Sequence, residues 1–254
     1  MSGPLRSDVR GHVLLLTLDR PAVRNAIDPA LAAALAQAAD RLDDDPDLRV
    51  AVLAGDARAF CSGTDLRAAA RGERVSVDGR GHYGILGRPP GVPLIAAVEG
   101  FALGGGLELT LGCDLVVAGE GATFGLPEVR RGLLPDAGAL FRLPRKVGRS
   151  RALRLGLTGR PIDAATAAEW GLVDELVPAG AALDRALALA EEIAANAPLA
   201  VAQTLAGLRR GGELDDAAGW AMTAELRAPI LASEDLREGI AAFTEKREPR
   251  WTGR

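Results

Sequence analysis

The chain has 254 residues, 48% of them hydrophobic and 25% charged, and carries a formal net charge of −4 at pH 7. This balance is that of a soluble globular enzyme with room for a large core, and a pI near 5.4 argues against a nucleic-acid partner. No apolar run reaches the ~20 residues of a membrane span, and the start, Met1-Ser2-Gly3-Pro4-Leu5-Arg6, has no apolar signal segment, so the expectation is a cytoplasmic protein. Cys61 and Cys113 form no CxxC pair and read as reduced thiols, neither a disulfide frame nor a zinc site. Only Lys146 and Lys246 are lysines among the many arginines, and alanine is abundant, which points to a GC-rich bacterial genome.

In chain order, residues 9–18 are an apolar, β-rich run closed by Asp19-Arg20-Pro21, a strand followed by a turn. Asp28-Pro29 opens an alanine- and leucine-rich helix to about residue 42, with Asp28 as N-cap and Pro29 at the first helical position. Residues 49–54 form a buried-type strand, 59–62 a short strand and 65–71 a helix. The segment 72–91, rich in Gly, Arg and Pro, reads as a mobile loop with at most one helical turn. A strand at 93–98, a helix at 104–111 and a strand at 114–118 follow, and the alternation predicts an α/β core. Beyond Gly148 the pattern is helical, at 149–157, 163–170, 181–196, 198–210, 214–232 and 233–246, with one strand at 172–177. A helical end with so many apolar faces predicts association between subunits.

The chemistry is carried by Ala102-Leu103-Gly104-Gly105-Gly106-Leu107-Glu108 and, further on, Pro127-Glu128-Val129. Consecutive glycines strip side chains from a turn and let backbone N–H groups approach a ligand. Where that turn opens a helix, these N–H groups lack helical partners and sit at the positive end of the helix dipole. Such donors make an oxyanion hole, and two carboxyls beside one suit proton transfer next to a carbonyl group. Taken singly, each feature has a plainer reading. A glycine triplet is also a packing device, Asp65 suits a helix N-cap, and Phe243 and Lys246 suit a core position and a solvated tail. The basic cluster Arg142, Arg145, Lys146, Arg149 and Arg151 reads as a solvated helix-end face. His12 and His82 have no metal-ligand spacing, and no metal site is expected.

Further motifs occur in a fixed order: Gly11-His12-Val13 through Pro21 with Asn25-Ala26, Phe60-Cys61-Ser62-Gly63-Thr64-Asp65-Leu66, Phe124-Gly125-Leu126-Pro127-Glu128, Gly132-Leu133-Leu134-Pro135-Asp136-Ala137-Gly138, Glu169-Trp170-Gly171-Leu172-Val173 and Phe243-Thr244-Glu245-Lys246-Arg247. Together with the glycine triplet, they resemble the crotonase, or enoyl-CoA hydratase/isomerase, superfamily over nearly the whole chain. The last stretch, from Ser233 to Arg254, also resembles carnitinyl-CoA dehydratase-type members. The resemblance implies an α/β fold, a spiral of ββα turns (residues 1–195) followed by a helical oligomerisation region (196–254), in a trimer or a hexamer of two trimers. It implies an acyl-CoA thioester substrate, no separate cofactor, and addition of water to a 2-enoyl-CoA. Glu108 and Glu128 would be the catalytic acids, and the backbone N–H groups of Thr64 and Gly105 the oxyanion donors. Arg24, Ala26, Ser62 and Asp65 would line the substrate site, with Phe243 and Lys246 brought to the adenosine end by a neighbouring subunit. Asp136 stands where many hydratases carry glycine, adding a third acid whose expected effect is either to repel Glu108 or Glu128 or to bind a polar substrate tail, and which keeps open an isomerase or a dehydratase of a polar acyl-CoA such as carnitinyl-CoA. An RNA-binding branch of the family uses a lysine-rich helix; the matching segment 28–42 has Arg41 and no lysine.

Overall fold

A computed structural model describes residues 3–212 and 214–254; Met1-Ser2, at the polar start, lie outside the described residues. The chain opens with an antiparallel hairpin, β1 (Leu5–Arg10) and β2 (Val13–Leu18). The single strand expected over 9–18 is divided because Gly11 takes φ +56° and turns the chain back, a conformation that glycine adopts at no steric cost. Helix α1 (Pro29–Asp44) follows, its first turn closed by the Asp28 carboxylate, which accepts from Leu31 N. Then come β3 (Val50–Ala54), α2 (Leu66–Ala70), a small hairpin of β4 (Ser76–Val77) and β5 (Gly81–His82), β6 (Leu94–Val98), β7 (Phe101–Leu103) and α3 (Gly105–Leu111). After β8 (Leu115–Gly119) and β9 (Thr123–Gly125) the chain is mostly helical: α4 (Ala139–Val147), α5 (Arg149–Thr158), α6 (Ala164–Glu169), α7 (Ala182–Ala194), α8 (Pro198–Gly211), α9 (Asp216–Ala232) and α10 (Glu234–Glu245), with short strands β10 (Ile162–Asp163) and β11 (Glu175–Val177) between them.

The main sheet runs β1-β2-β3-β6-β8-β11, and every pair except β1·β2 is parallel. Its central strands read as continuous apolar runs because both faces are buried. Leu14, Leu16, Ala51, Leu53, Leu94 and Ala96 join the core under α1 and α3. Val13, Leu15, Val50, Val52, Ile95 and Val117 point the other way, onto α7. The α7 face is alanine at 182, 186, 190 and 194, so the helix lies close on the sheet.

A second sheet, β10-β9-β7, was not expected from the sequence, since its strands are only two or three residues long. The expected strand at 59–62 is instead an extended segment tied by one bridge, Cys61 to Ala102. The strand expected over 172–177 is confined to β11, because residues 170–173 turn on their own hydrogen bonds to Thr166, Ala168 and Ala167 carbonyls.

The largest correction concerns residues 72–91, which are a bound structural element. Arg80 is 2% exposed; its guanidinium donates to Asp40 at 2.6 Å and Asp43 at 2.5 Å on α1, and to the Arg88 carbonyl at 3.0 Å. Tyr83, Ile85 and Leu86 are buried in the same core as α1. Gly84 at φ +72° lies so close to α1 that a Cβ there would collide with the Ala32 carbonyl. Composition marks such a segment as polar and turn-rich, but one arginine ion pair with a neighbouring helix suffices to hold it. Replacing Arg80 with Met is therefore expected to lower stability by about 2 kcal/mol, since it removes the buried cation that joins Asp40 and Asp43 to this segment and leaves them, among the described residues, only Arg88 and Gly91 N as partners. It is also expected to open the chain to trypsin at Arg71, Arg74 or Arg88; unchanged denaturation and digestion would contradict this anchoring.

Candidate active site

Three segments are laced side by side. The turn at 24–27 is joined to 62–65 by Ser62 N donating to Arg24 O (3.1 Å), Ile27 N to Gly63 O (2.8 Å) and Asp65 N to Ile27 O (2.8 Å). The segment at 60–63 is joined to β7 through Cys61 N to Phe101 O (3.2 Å) and Leu103 N to Cys61 O (3.1 Å). Thr64 is thereby brought beside the start of α3. Gly63 takes φ +92°, and a Cβ on it would lie 2.7 Å from Gly105 N.

Each residue of the glycine triplet has its own steric reason. Gly104 adopts φ +57°, ψ −128° as the N-cap of α3, and a Cβ there would press to 3.0 Å of Glu128 Oε1. A Cβ on Gly105 would collide with Tyr83 Oη, and one on Gly106 with the Cys61 carbonyl. The bare backbone is thus forced by what packs against it on three sides.

Glu108 sits in the first turn of α3, at 2% exposure. Its Oε1 accepts from Ala137 N (2.8 Å) and Ala139 N (3.0 Å), the start of α4. That helix has no capping side chain of its own at Gly138, so Glu108 serves as its cap from a distance. Burial pushes the Glu108 carboxyl up to about 7, outweighing the two N–H donors, with Glu128 and Asp136 adding repulsion. Glu128 follows β9 directly, at the first position of a 3-10 turn. The pairing of β9 with β7, Leu103 opposite Gly125, places it across from Gly104. Its Oε2 is buried with no hydrogen-bond partner among the described residues, and burial raises its pKa as well.

Asp136 is exposed, 4.0 Å from His82 Nε2, and close enough to add to the raised pKa values of both glutamates. Asp65 caps α2 by accepting from Arg67 N at 3.0 Å and Ala68 N at 3.4 Å. It also faces Arg20 at 3.3 Å, and Arg20 reaches Asp28 at 2.8 Å and the Ala26 carbonyl. Ser62 donates to Val23 O at 3.3 Å, Ala26 is buried, and Arg24 is exposed in a left-handed conformation, φ +57°.

Phe243 (87% exposed) lines a groove on the helical end with Leu199, Ile230 and Trp251, and Lys246 is the exposed C-cap of α10. The structure thus gathers Glu108, Glu128, Thr64 and Gly105 with Arg24, Ala26, Ser62, Asp65 and Asp136 around one turn, and leaves Phe243 and Lys246 on the helical end.

Several site-building residues were not singled out from the sequence. Tyr83, 1% exposed, contacts Thr64 and Gly105 from a segment read as mobile. Asn25 is fully buried and donates to the Ala59 and Phe60 carbonyls at 2.9 and 3.2 Å, which fixes the 24–27 turn. The helix α4 was hidden by Pro144 in its interior. Of the basic cluster read as a solvated face, Arg142 is half-buried and donates to Leu86 O at 2.6 Å, while Lys146 pairs with Asp174 at 2.9 Å.

A glycine-opened helix bearing one buried carboxyl, with a second across the turn, is the arrangement of an acid–base enzyme acting beside an oxyanion. The family described as enoyl-CoA hydratase/isomerase matches residues 8–254, and the chain belongs to that family. It is 41% identical over 252 residues to "Enoyl-CoA hydratase EchA19" of Mycobacterium tuberculosis, covering 96% of this chain and 95% of the relative. It is 40% identical over 262 residues to "Carnitinyl-CoA dehydratase" of Proteus mirabilis, covering both chains fully (100% each). The crystal structure of enoyl-CoA hydratase EchA1 from Mycobacterium marinum superposes with a TM-score of 0.97 at 46% identity, over 100% of both chains. The fold is therefore the crotonase fold.

Because Glu108 is raised from 4.5 to about 7, the folded chain holds a proton between those pH values that the unfolded chain releases. This carboxyl consequently lowers stability as pH rises from about 4.5 to 7, with the full penalty present above 7. Glu108→Gln, which keeps an oxygen for the two N–H donors, is expected to be more stable than the parent at pH 8, by up to about 3 kcal/mol. That gap should close near pH 4. Denaturation curves at the two pH values check this; a pH-independent difference would contradict it.

Proposed function

We infer that the protein is an enoyl-CoA hydratase, adding water reversibly across the 2,3-double bond of a 2-enoyl-CoA. The observation that carries the reading is the meeting of Glu108 and Glu128 at one glycine turn, from elements twenty residues apart in sequence, both with raised pKa values. Oε1 of Glu108 is held by two backbone donors, leaving its other oxygen for a water molecule; Glu128 Oε2, buried without a partner, takes the same water from the other side.

As the water oxygen attacks Cβ, Glu108 accepts one of its protons, and Glu128 supplies a proton to Cα. The double-bond electrons move first toward the thioester oxygen, and the Thr64 and Gly105 N–H groups receive the charge that gathers there. One such donor is worth ~3 kcal/mol, roughly a hundredfold or more in rate. Coenzyme A is part of the substrate, and the reading assigns the proton transfers to the two carboxyl groups and the oxyanion to the backbone N–H donors.

Arg24, Ala26, Ser62 and Asp65 border the turn nearest Thr64 and are assigned to the CoA side. Phe243 and Lys246 belong to the adenosine end of a neighbouring subunit's site. The exposed Leu208, Trp220, Ile240 and Phe243 on α8, α9 and α10 support a trimer or a hexamer built through residues 196–254. No helix among the described residues is long and apolar enough to cross a membrane.

A dehydratase of a polar acyl-CoA is the second reading, favoured by Asp136 beside His82 at the edge of the site and by the likeness to carnitinyl-CoA dehydratase.

Loss of the conjugated-thioester absorbance of crotonyl-CoA tests the first reading. Glu108→Gln and Glu128→Gln are each expected to lower kcat by roughly a thousandfold or more, while Glu128→Gln costs no stability, since burial raises this carboxyl too. Turnover that survives in Glu128→Gln removes it from the mechanism. In the parent enzyme kcat/KM should rise with pH through about 7, as Glu108 ionises; a flat profile from pH 5 to 8 would exclude Glu108 as the base. Inactivity on crotonyl-CoA with turnover of carnitinyl-CoA would select the second reading. Sedimentation at micromolar concentration should give an oligomer, and a clean monomer would contradict the shared site.

A further inference from the structure

Tyr83 is the only tyrosine in the chain, and its place is unusual in two respects. It is nearly fully buried, and its backbone takes φ +54°, a left-handed conformation rare for a bulky residue and typical of functional sites. The conformation is held by the hairpin that carries it: Tyr83 N donates to Val75 O at 2.8 Å, and Gly84 N to Gly81 O at 3.1 Å. The hydroxyl it delivers lies against Gly105, in the space a side chain there would fill, and 2.8 Å from Thr64 Oγ1. Both residues that supply the backbone oxyanion donors are therefore touched by one buried phenol.

A hydroxyl pair has two hydrogens and uses one of them internally. Either oxygen can donate in this pair; the phenol is the stronger acid and so the better donor to Thr64, and no other hydrogen bond involves either hydroxyl among the described residues. With Tyr83 as the donor, Thr64, half-buried at the site, keeps its own O–H for a ligand. Burial, with the carboxyl groups of Glu108 and Asp136 behind it, holds the Tyr83 phenol protonated and able to donate. A hydroxyl that accepts one hydrogen bond becomes a better donor of the next.

We propose that the Thr64 hydroxyl, aimed and polarised by Tyr83, is a third hydrogen-bond donor to the thioester oxygen, beside the N–H groups of Thr64 and Gly105. Thr64 is then a catalytic residue through its side chain as well as its backbone, and Tyr83 a positioning residue. The proposal rests on the enoyl-CoA hydratase reading, and on the same oxyanion hole.

The test compares Thr64→Val, Thr64→Ser and Tyr83→Phe with the parent. Valine keeps the shape and the backbone N–H, and serine restores the hydroxyl. For crotonyl-CoA hydration, Thr64→Val is expected to lose about tenfold in kcat with KM within about twofold, less than the loss of a main-chain donor. Thr64→Ser should recover most of the rate, Tyr83→Phe should show a smaller loss in the same direction, and the Thr64→Val, Tyr83→Phe double variant should be no slower than Thr64→Val alone.

A second readout needs no turnover: the absorption of bound cinnamoyl-CoA moves to longer wavelength as its carbonyl oxygen is polarised, and this shift should shrink in Thr64→Val and return in Thr64→Ser. An unchanged kcat and an unchanged shift in Thr64→Val overturn the proposal while leaving the hydratase reading intact. A change in KM or in stability alone, with the shift retained, also overturns it, because that is the signature of packing. A parent enzyme that neither hydrates crotonyl-CoA nor shifts cinnamoyl-CoA overturns the hydratase reading and this inference with it.

Discussion

The approach of other groups to the backbone at residues 104–106 is the constraint on which the rest of the structure depends. Tyr83 closes on Gly105 and the Cys61 carbonyl on Gly106, where a Cβ would collide, while Gly104 lies against Glu128 and takes φ +57°, which disfavours a side chain there. Backbone without side chains is also what leaves N–H groups at the start of α3 open to a ligand. Packing and chemistry therefore make the same demand on these residues, and a substitution that relieved one would damage the other.

Around this turn, the parallel sheet and the small three-stranded sheet work as a jig. In the main sheet the central strands are buried on both faces, which fixes β6 and β8. The pairing of β7 with β9 then brings Glu128 to the turn, and α3 carries Glu108 one turn further in. The acid on α3 doubles as the cap of α4. Its ionisation is thereby tied to the helix that bears Asp136 at its entrance, and the three carboxyls share one electrostatic environment. Burial dominates that environment for both glutamates and raises both, Glu108 to about 7, which suits the pair to proton transfer.

The segment 72–91 shows how a catalytic surface can be held from outside the regular elements. Its polar composition carries Arg80, whose ion pairs with Asp40 and Asp43 clamp it to α1, and its short hairpin then presents Tyr83 to Thr64. His82, next in the chain, faces Asp136 across the edge of the site. One arginine thus links the α1 surface to the segment that carries both His82 and Tyr83.

The amino-acid sequence by itself determined the α/β class, the principal helices and central strands, and the glycine turn with its two glutamates. These are local signals: apolar runs, an Asp-Pro helix start, and a triplet that no helix or strand interior would favour. Only the tertiary structure decided what those glycines touch, that residues 72–91 are anchored, and that Tyr83 belongs to the site. Strands of two or three residues, such as β7, β9 and β10, carry too few alternations to be read as period-two patterns. An ion pair between residues forty apart, Arg80 with Asp40, leaves no trace in local composition. A left-handed tyrosine is disfavoured by its own local energetics, and its hydroxyl meets Thr64 and Gly105, distant in sequence, only in the folded chain. What is local in energy was legible in the chain, and what depends on contacts across it had to wait for the fold.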